Sequence, residues 1–342
     1  MKIVTSSGKT IGIEASADAD LVYVSHAHSD HARKKNLFAS EETFHLLRCG
    51  DGLQDAERHD ATFDDVELHP AGHILGSTQL RFTNGHSLVY TGDMKLREGF
   101  TTRGAEALQC DELHIDCTFG HPDFRFRTRE ELGDSIGRWT RTRLMTGQNV
   151  VFGAYSTGKA QELVRILNEF AHVTPIVDPV IERRCAVYER FGIRQERAVL
   201  GSPDAMELQR GPFVHIIPFN HVNPVSEKWF LAQHKRVTFA LVTGWAARFQ
   251  YRYHSFPLSD HADFSEILSY AQQSGARRIV CHYGHADVMA KELRNRGYNA
   301  MTEKEWTQQE KAKQSTGGML QQMTLTAAVT EQERIPDPEF IR

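Results

Sequence analysis

The strongest constraint in this sequence is Val24-Ser25-His26-Ala27-His28-Ser29-Asp30-His31, where three imidazoles and a carboxylate fall within six positions directly after the apolar run Leu21-Val22-Tyr23-Val24. That run has the length and the β-branched and aromatic content of a buried strand. His26 and His28, two residues apart, then point to one side. Asp30 and His31 follow where the strand must give way to a loop, able to turn back toward a second ion. Imidazole and carboxylate donors without thiolates suit zinc, with manganese or iron as alternatives, and do not suit magnesium or calcium.

The rest of the chain reads as supply to that site. A second ligand loop is marked by Ala71-Gly72-His73-Ile74-Leu75-Gly76, whose glycines flank His73 and allow close backbone approach. His69 precedes Pro70 and is read as structural. The apolar strand Ser87 to Thr91 runs into Gly92-Asp93, placing a carboxylate at a strand end where it can bridge two ions.

Bulk properties narrow the partners. With 342 residues, 40% hydrophobic and 25% charged, the chain can bury two domain cores. Its 40 Lys+Arg against 44 Asp+Glu give a formal charge of −4, so any nucleic-acid site must be a local basic patch. Candidates are Arg33-Lys34-Lys35 and the arginines at 125, 127, 129, 138, 141 and 143. Five scattered cysteines without a CxxC argue for a reducing compartment and against thiolate zinc. No apolar run reaches membrane-spanning length, and Met1 to Thr5 lacks the apolar core of a signal peptide. The expectation is a cytoplasmic protein with no membrane partner.

HxHxDH, then Gly-His in a glycine-bearing loop, then strand-Gly-Asp, resembles the metallo-β-lactamase superfamily. The resemblance implies an α/β fold, an αββα sandwich with metals at one edge, and two divalent ions, zinc first with manganese as the alternative. It implies that His26, His28 and His73 hold one ion, that Asp30 and His31 hold the other, and that Asp93 bridges.

Leu113-His114-Ile115-Asp116-Cys117-Thr118-Phe119-Gly120 resembles the acidic-(Ser/Thr)-Thr-aromatic-Gly element of the β-CASP nucleases within that superfamily, with Cys117 departing mildly. Residues 121 to about 255 then alternate helical and strand patterns. Helices are predicted over Arg129 to Leu144, Lys159 to Phe170 and Val180 to Phe191, and strands over Asn149 to Phe152, Val173 to Val177, Phe213 to Ile217 and Val237 to Val242. Such alternation predicts a parallel α/β layer, matching the inserted β-CASP cassette. The domain reading is 1–122 and 256–304 for the metallo-β-lactamase domain, 123–255 for the cassette, and 305–342 as an unassigned tail with a short strand at Met323 to Val329.

Pro257-Leu258-Ser259-Asp260-His261-Ala262-Asp263 and Thr243-Gly244-Trp245 resemble the DNA-repair branch, that of Artemis-like nucleases and bacterial ligase-associated exonucleases. Arg277 to His282 resembles the strand that ends in a metal-binding histidine. His282 is therefore predicted as the seventh ligand, with His285 as its rival. Between the first cassette strand and its helix, Gly153 to Lys159 resembles the loop of DNA-directed members, and Ser156, Thr157 and Lys159 are predicted to hold a terminal phosphate.

The expected activity is phosphodiester hydrolysis by a DNA exonuclease in repair, associating with other repair proteins. An RNA-processing nuclease is the rival, and a small-molecule hydrolase a more distant one. Asp30 orients the nucleophile, and His261, hydrogen-bonded to Asp116, is the general acid.

Overall fold

The computed structural model describes residues 1–14, 18–29, 31, 35–50 and 53–313. Asp30, part of the Arg33 cluster and the strand predicted at Met323 to Val329 lie outside them. The N-terminal residues form a four-stranded sheet in the order β1 (Lys2–Val4), β2 (Thr10–Ile13), β3 (Leu21–Tyr23), β4 (Leu37–Phe38). The helix Glu41–Arg48 follows, capped by Ser40, whose side chain accepts from the Thr43 amide.

Four further strands, β5 (Val66–Pro70), β6 (Thr78–Phe82), β7 (Leu88–Tyr90) and β8 (Glu112–Asp116), begin a second sheet. The chain then leaves it to build a third, from β9 (Asn149–Ala154), β10 (Ile176–Val177), β11 (Ala198–Val199), β12 (Val214–Pro218), β13 (Val237–Val242) and β14 (His254–Phe256). It returns with β15 (Arg278–His282) and β16 (Ala300–Thr302), completing the second sheet in the order β16-β15-β8-β7-β6-β5.

The first two sheets pack face to face. Ile11, Ile13, Leu21 and Tyr23 from one meet Val66, Leu80, Leu88 and Tyr90 from the other in a single buried cluster. Outside the second sheet, the helices Phe264–Ser274 and Ala286–Asn295 bury Ile267, Tyr270, Met289 and Leu293 against Leu113, Ile115 and Ile279. This is the αββα sandwich expected from the motifs.

The third sheet, ordered β11-β10-β12-β9-β13-β14, is wholly parallel. Helices Arg129–Met145, Lys159–Ile166 and Pro179–Arg190 cover one face through Ile136, Leu163, Val164 and Ile181. Phe230, from the helix Pro224–Gln233, packs on Val151, Ile217 and Phe239 on the other.

Local details depart from the sequence expectation. The strand predicted over Val173 to Val177 is reduced to Ile176–Val177, because the Val173 amide closes the preceding helical turn on the Leu167 carbonyl and Pro175 has no amide to give. The predicted tail contains a helix over 303–313, started by Thr302 and Glu305, each of which bonds the other's backbone amide. Among the described residues no helix is long and apolar enough to cross a membrane.

Candidate metal centre and acid–base pair

Each donor sits where an element ends. His26 and His28 follow β3, His73 lies in the turn between β5 and β6, Asp93 follows β7, Asp116 ends β8, and His261 precedes the helix Phe264–Ser274. Two glycines make this convergence sterically possible. A Cβ on Gly72, whose φ is +74°, would stand 2.2 Å from the Lys95 carbonyl oxygen, and one on Gly92, φ +55°, would stand 2.6 Å from Ser25 Cβ beside His26.

His28 Nδ1 lies 3.1 Å from His26 Nε2 and 3.2 Å from His73 Nε2. Asp93 Oδ2 lies 3.3 Å from His26 Nε2 and 3.6 Å from His73 Nε2. The opposite ring atoms are already engaged. His73 Nδ1 donates to the Asp260 carbonyl at 2.9 Å, His28 Nε2 to the Thr157 carbonyl at 3.3 Å, and His26 Nδ1 pairs with Ser25 Oγ at 2.9 Å. A carbonyl can only accept, so the neutral rings of His28 and His73 turn bare lone pairs toward each other and toward a carboxylate.

Burial keeps these rings neutral: it pushes His28 down to about 4, helped by the Lys159 charge, and His26 and His73 well below the usual histidine range. The lone pairs of His28 Nδ1 and His73 Nε2, facing one another with no proton between them, are the arrangement that a bound cation would relieve. Four ligands about 2.0–2.1 Å from a tetrahedral zinc are spaced roughly 3.3 Å apart, which the observed separations match. The residues present therefore fit a divalent ion.

Asp93 also borders a second group with Asp116 and His261. Burial and the Asp116 carboxylate push Asp93 up to about 7, against the charge of His261. A cation beside it would reverse that shift. Asp116 Oδ2 accepts from His261 Nδ1 at 2.9 Å, while Oδ1 accepts from the Thr118 amide and hydroxyl at 2.8 and 2.7 Å. His261 Nε2 is thereby aimed into the site, 3.8 Å from Asp93 Oδ2. Burial alone would lower the His261 pKa, but Asp116 and Asp93 outweigh it and raise it. The same pairing holds Asp116 below the usual carboxylate range despite its burial.

His31 stands beside the cluster, its ring 4.3 Å from that of His26 and its Nδ1 3.1 Å from Glu14 Oε2. His282 is not brought into the cluster. It shares a sheet face with Asp116, its register partner on β8, but its Nε2 pairs with His114 Nδ1 at 2.9 Å and its Nδ1 faces Glu303 Oε2 at 3.4 Å. The rival His285 bonds the Thr118 carbonyl instead. The residue presented to the site from this strand end is Tyr283, in left-handed conformation at φ +61°.

In the loop predicted to hold a phosphate, Ser156 and Thr157 make contacts within the protein. The Thr157 hydroxyl accepts from Arg184 at 2.6 Å, the Ser156 carbonyl accepts from Gln161 Nε2, and the Gly158 amide donates to Gln161 Oε1. Together with the His28–Thr157 bond, these make the loop a tie between the parallel layer and the ligand cluster. Neither Ser156 nor Thr157 lines the cavity over the His/Asp cluster, whereas Lys159 does. Its ammonium pairs with buried Asp260 at 3.0 Å. Asp260, next to His261 in the chain, thus orients both His73 and Lys159.

That cavity, of about 470 Å³, is lined by His28, Asp93, His261, Lys159, Tyr155 and Trp245 among others. A larger hollow of about 900 Å³ borders the His73 loop between Phe38, Arg58, Leu68 and Arg103 but holds none of the clustered donors. Chemistry rather than size selects the smaller one.

No protein-family model matches the chain. Over 310 residues it is 34% identical to a probable DNA ligase of Opitutus terrae, covering 81% of this chain and 28% of that protein. Over 133 residues it is 33% identical to an uncharacterized protein in the lig 3′ region of Acidianus ambivalens, covering 38% of this chain and 91% of the relative. It is 27% identical over 207 residues to a probable RNase MJ4 of Methanocaldococcus jannaschii, covering 46% of this chain and 47% of that one. The chain thus spans under half the length of the first and third of these relatives. A crystal structure of a protein of unknown function from Enterococcus faecalis shares the fold, with a TM-score of 0.54 at 18% identity over 78% of this chain and 76% of the other.

Proposed function

Because the chain belongs to the metallo-β-lactamase superfamily, in its β-CASP nuclease branch, we propose that it is a metal-dependent nuclease, acting on DNA in preference to RNA. The observation that carries this reading is the convergence of His26, His28, His73 and Asp93 with their lone pairs facing inward. Zinc is the first candidate and manganese the alternative. A second ion would take Asp93 with His31 and, from its place in the sequence, Asp30. His282, committed to His114 and Glu303, is left out of that set.

A divalent ion bound here would acidify a water and neutralise charge building on a phosphodiester. The chain's own residues do the rest. Asp116 fixes the direction of His261 and favours its charged form, so that Nε2–H faces the cavity and can protonate the departing oxygen. Lys159, at the cavity wall, supplies a positive charge for a nearby phosphate. The Asp260 and Thr157 carbonyls hold His73 and His28 in the tautomers that ligation needs.

The preference for DNA, and a role as an exonuclease in repair beside a ligase, are supported by the likeness over most of the chain to the protein named as a probable DNA ligase. A ribonuclease is the second reading, favoured by the likeness to the probable RNase MJ4. Five free cysteines, four of them buried, fit a cytoplasmic setting. The test is incubation of end-labelled DNA and RNA, of both polarities, with protein stripped of metal and resupplied with zinc or manganese. Metal-restored shortening of DNA from an end is expected. No cleavage of either polymer under any metal would overturn the nuclease reading.

A further inference from the structure

Among the described residues other than glycine that take left-handed backbone, Tyr283 has the bulkiest side chain, at φ +61°. That conformation crowds Cβ against the backbone, so such residues persist where their surroundings enforce them, and they gather at functional sites. The surroundings here are tight. Tyr283 directly follows β15, and a Cβ on the next residue, Gly284, would stand 2.4 Å from the Thr118 carbonyl oxygen. The strand end is thus pressed against the loop that fixes Asp116.

Tyr283 is 38% exposed and lines the cavity together with His31, Asp93 and His261, its ring edge-on to that of His31 at 5.8 Å. Its hydroxyl lies 2.6 Å from the hydroxyl of Tyr90, which is buried and has no other hydrogen-bond partner among the described residues. One proton sits between the two oxygens, and the other must go elsewhere. If Tyr283 donated, the Tyr90 proton would be left buried without an acceptor, at a cost; if Tyr90 donates, the free proton is that of Tyr283, at the cavity wall. The second arrangement is the one that leaves nothing buried unpaired. Burial, and the charges of Glu14, Asp93 and Asp116, raise the Tyr283 pKa against the pull of the Tyr90 bond, so the proton stays on its oxygen.

Resting on the nuclease reading above, we propose that Tyr283 is a substrate-orienting residue whose hydroxyl, turned by Tyr90, donates to a non-bridging oxygen of the phosphodiester in the cavity. Such an oxygen is an anionic acceptor, and hydrogen bonds to charged groups are the stronger kind. Lys159 already brings a full charge to the same cavity. A phenol adds direction instead, and because a buried neighbour has set that direction, the donor needs no reorganisation when the phosphate arrives. The bond decides which of the two non-bridging oxygens faces the strand end, and with it how the departing oxygen is presented to His261.

The test compares Tyr283→Phe with wild type, both as metal-loaded full chains, on an end-labelled DNA or RNA oligonucleotide, whichever wild type cuts faster. Tyr283→Phe is expected to lose roughly 10- to 100-fold in kcat/KM with metal content unchanged. Tyr90→Phe should lose less, since Tyr283 keeps its hydroxyl without its direction, and the double variant should be no worse than Tyr283→Phe alone. Strands made wholly of one or the other phosphorothioate configuration supply a readout that a structural role would not move. Sulfur is a poor acceptor, so the slowing of one configuration relative to the ordinary strand should shrink by a similar factor in Tyr283→Phe. Full activity in Tyr283→Phe, losses that simply multiply in the double variant, or sulfur effects of the same size in both proteins would overturn the assignment and leave the nuclease reading intact. Failure of wild type to cut either polymer would remove the nuclease reading, and this inference with it.

Discussion

His261 and Asp116 form a hydrogen-bonded pair, Nδ1 to Oδ2 at 2.9 Å, in which the carboxylate is itself fixed by two bonds from Thr118. Neither residue belongs to the group of four that converges on the metal position. Loss of the imidazole should therefore remove proton transfer and spare the ion. His261→Ala is expected to lower turnover about 10²- to 10⁴-fold with metal content unchanged. Metal loss in that variant, measured by elemental analysis, would place His261 among the ligands instead.

The same pair sets a pH dependence. Burial lowers the His261 pKa, Asp116 and Asp93 raise it, and the net direction is upward. The acid form, which can donate, therefore persists to higher pH than in a free imidazole, and activity should fall as pH rises through the raised value. Asp116→Asn removes the larger of the two carboxylate contributions. Its pH–rate profile should show the descending limb moved toward lower pH, and an unmoved limb would separate that limb from His261.

Metal removal should cost stability, because an ion held by His26, His28, His73 and Asp93 would join three separate loops and bind only the folded chain. At a thousandfold excess of metal over its dissociation constant the linkage amounts to about 4 kcal/mol. Chelation is expected to lower the thermal midpoint of wild type and to have little further effect on His26→Ala, which has already lost a ligand. Equal shifts in both proteins, followed by calorimetry, would contradict the assignment.

Lys159 and Asp260 form an ion pair whose side chains are 8% and 1% exposed. Removing one partner strands the other charge in the interior, at a cost of about 3–5 kcal/mol. Lys159→Met should destabilise the fold by that order, and adding Asp260→Asn should recover part of it. Additive losses in a double-mutant cycle, read from denaturant unfolding, would show that the two do not interact.

How much of this was legible in the chain depends on distance along it. The donors of the first cluster sit beside short-range signals, a strand end or a glycine with positive φ, and their convergence follows once the sheets pair. His282 shows the limit. Its register opposite Asp116 places it on the correct face, but the direction of its ring is decided by His114 on the neighbouring strand and Glu303 from the 303–313 helix. No local pattern announces those partners. The helix itself had a local signal, the Thr302-x-x-Glu305 start. So did the helices Pro203–Leu208 and Pro224–Gln233, each entered through a capping Ser202 or Asn223 followed by proline. They are short or weakly amphipathic, and apolar periodicity alone passes over them.

The 303–313 helix also carries an acid dependence. Burial would raise Glu112, but His114, Arg278 and Trp306 bring it down to about 2 from its ordinary 4.5. A lowered carboxylate stabilises the folded state above its unfolded value, and that contribution fades as pH falls through the folded one. Glu112→Gln should therefore flatten the loss of stability between about pH 4.5 and pH 2 in acid unfolding curves, and a wild-type slope there would contradict the network.

The central claim is that His26, His28, His73 and Asp93 close around one cation. X-ray absorption at the zinc edge on purified, zinc-loaded protein tests it most directly. The account predicts a first shell of nitrogen and oxygen at about 2.0–2.1 Å, with imidazole scattering from three rings, and its loss in His73→Ala. A sulfur shell at about 2.3 Å, or a folded protein that takes up no metal at all, would contradict it.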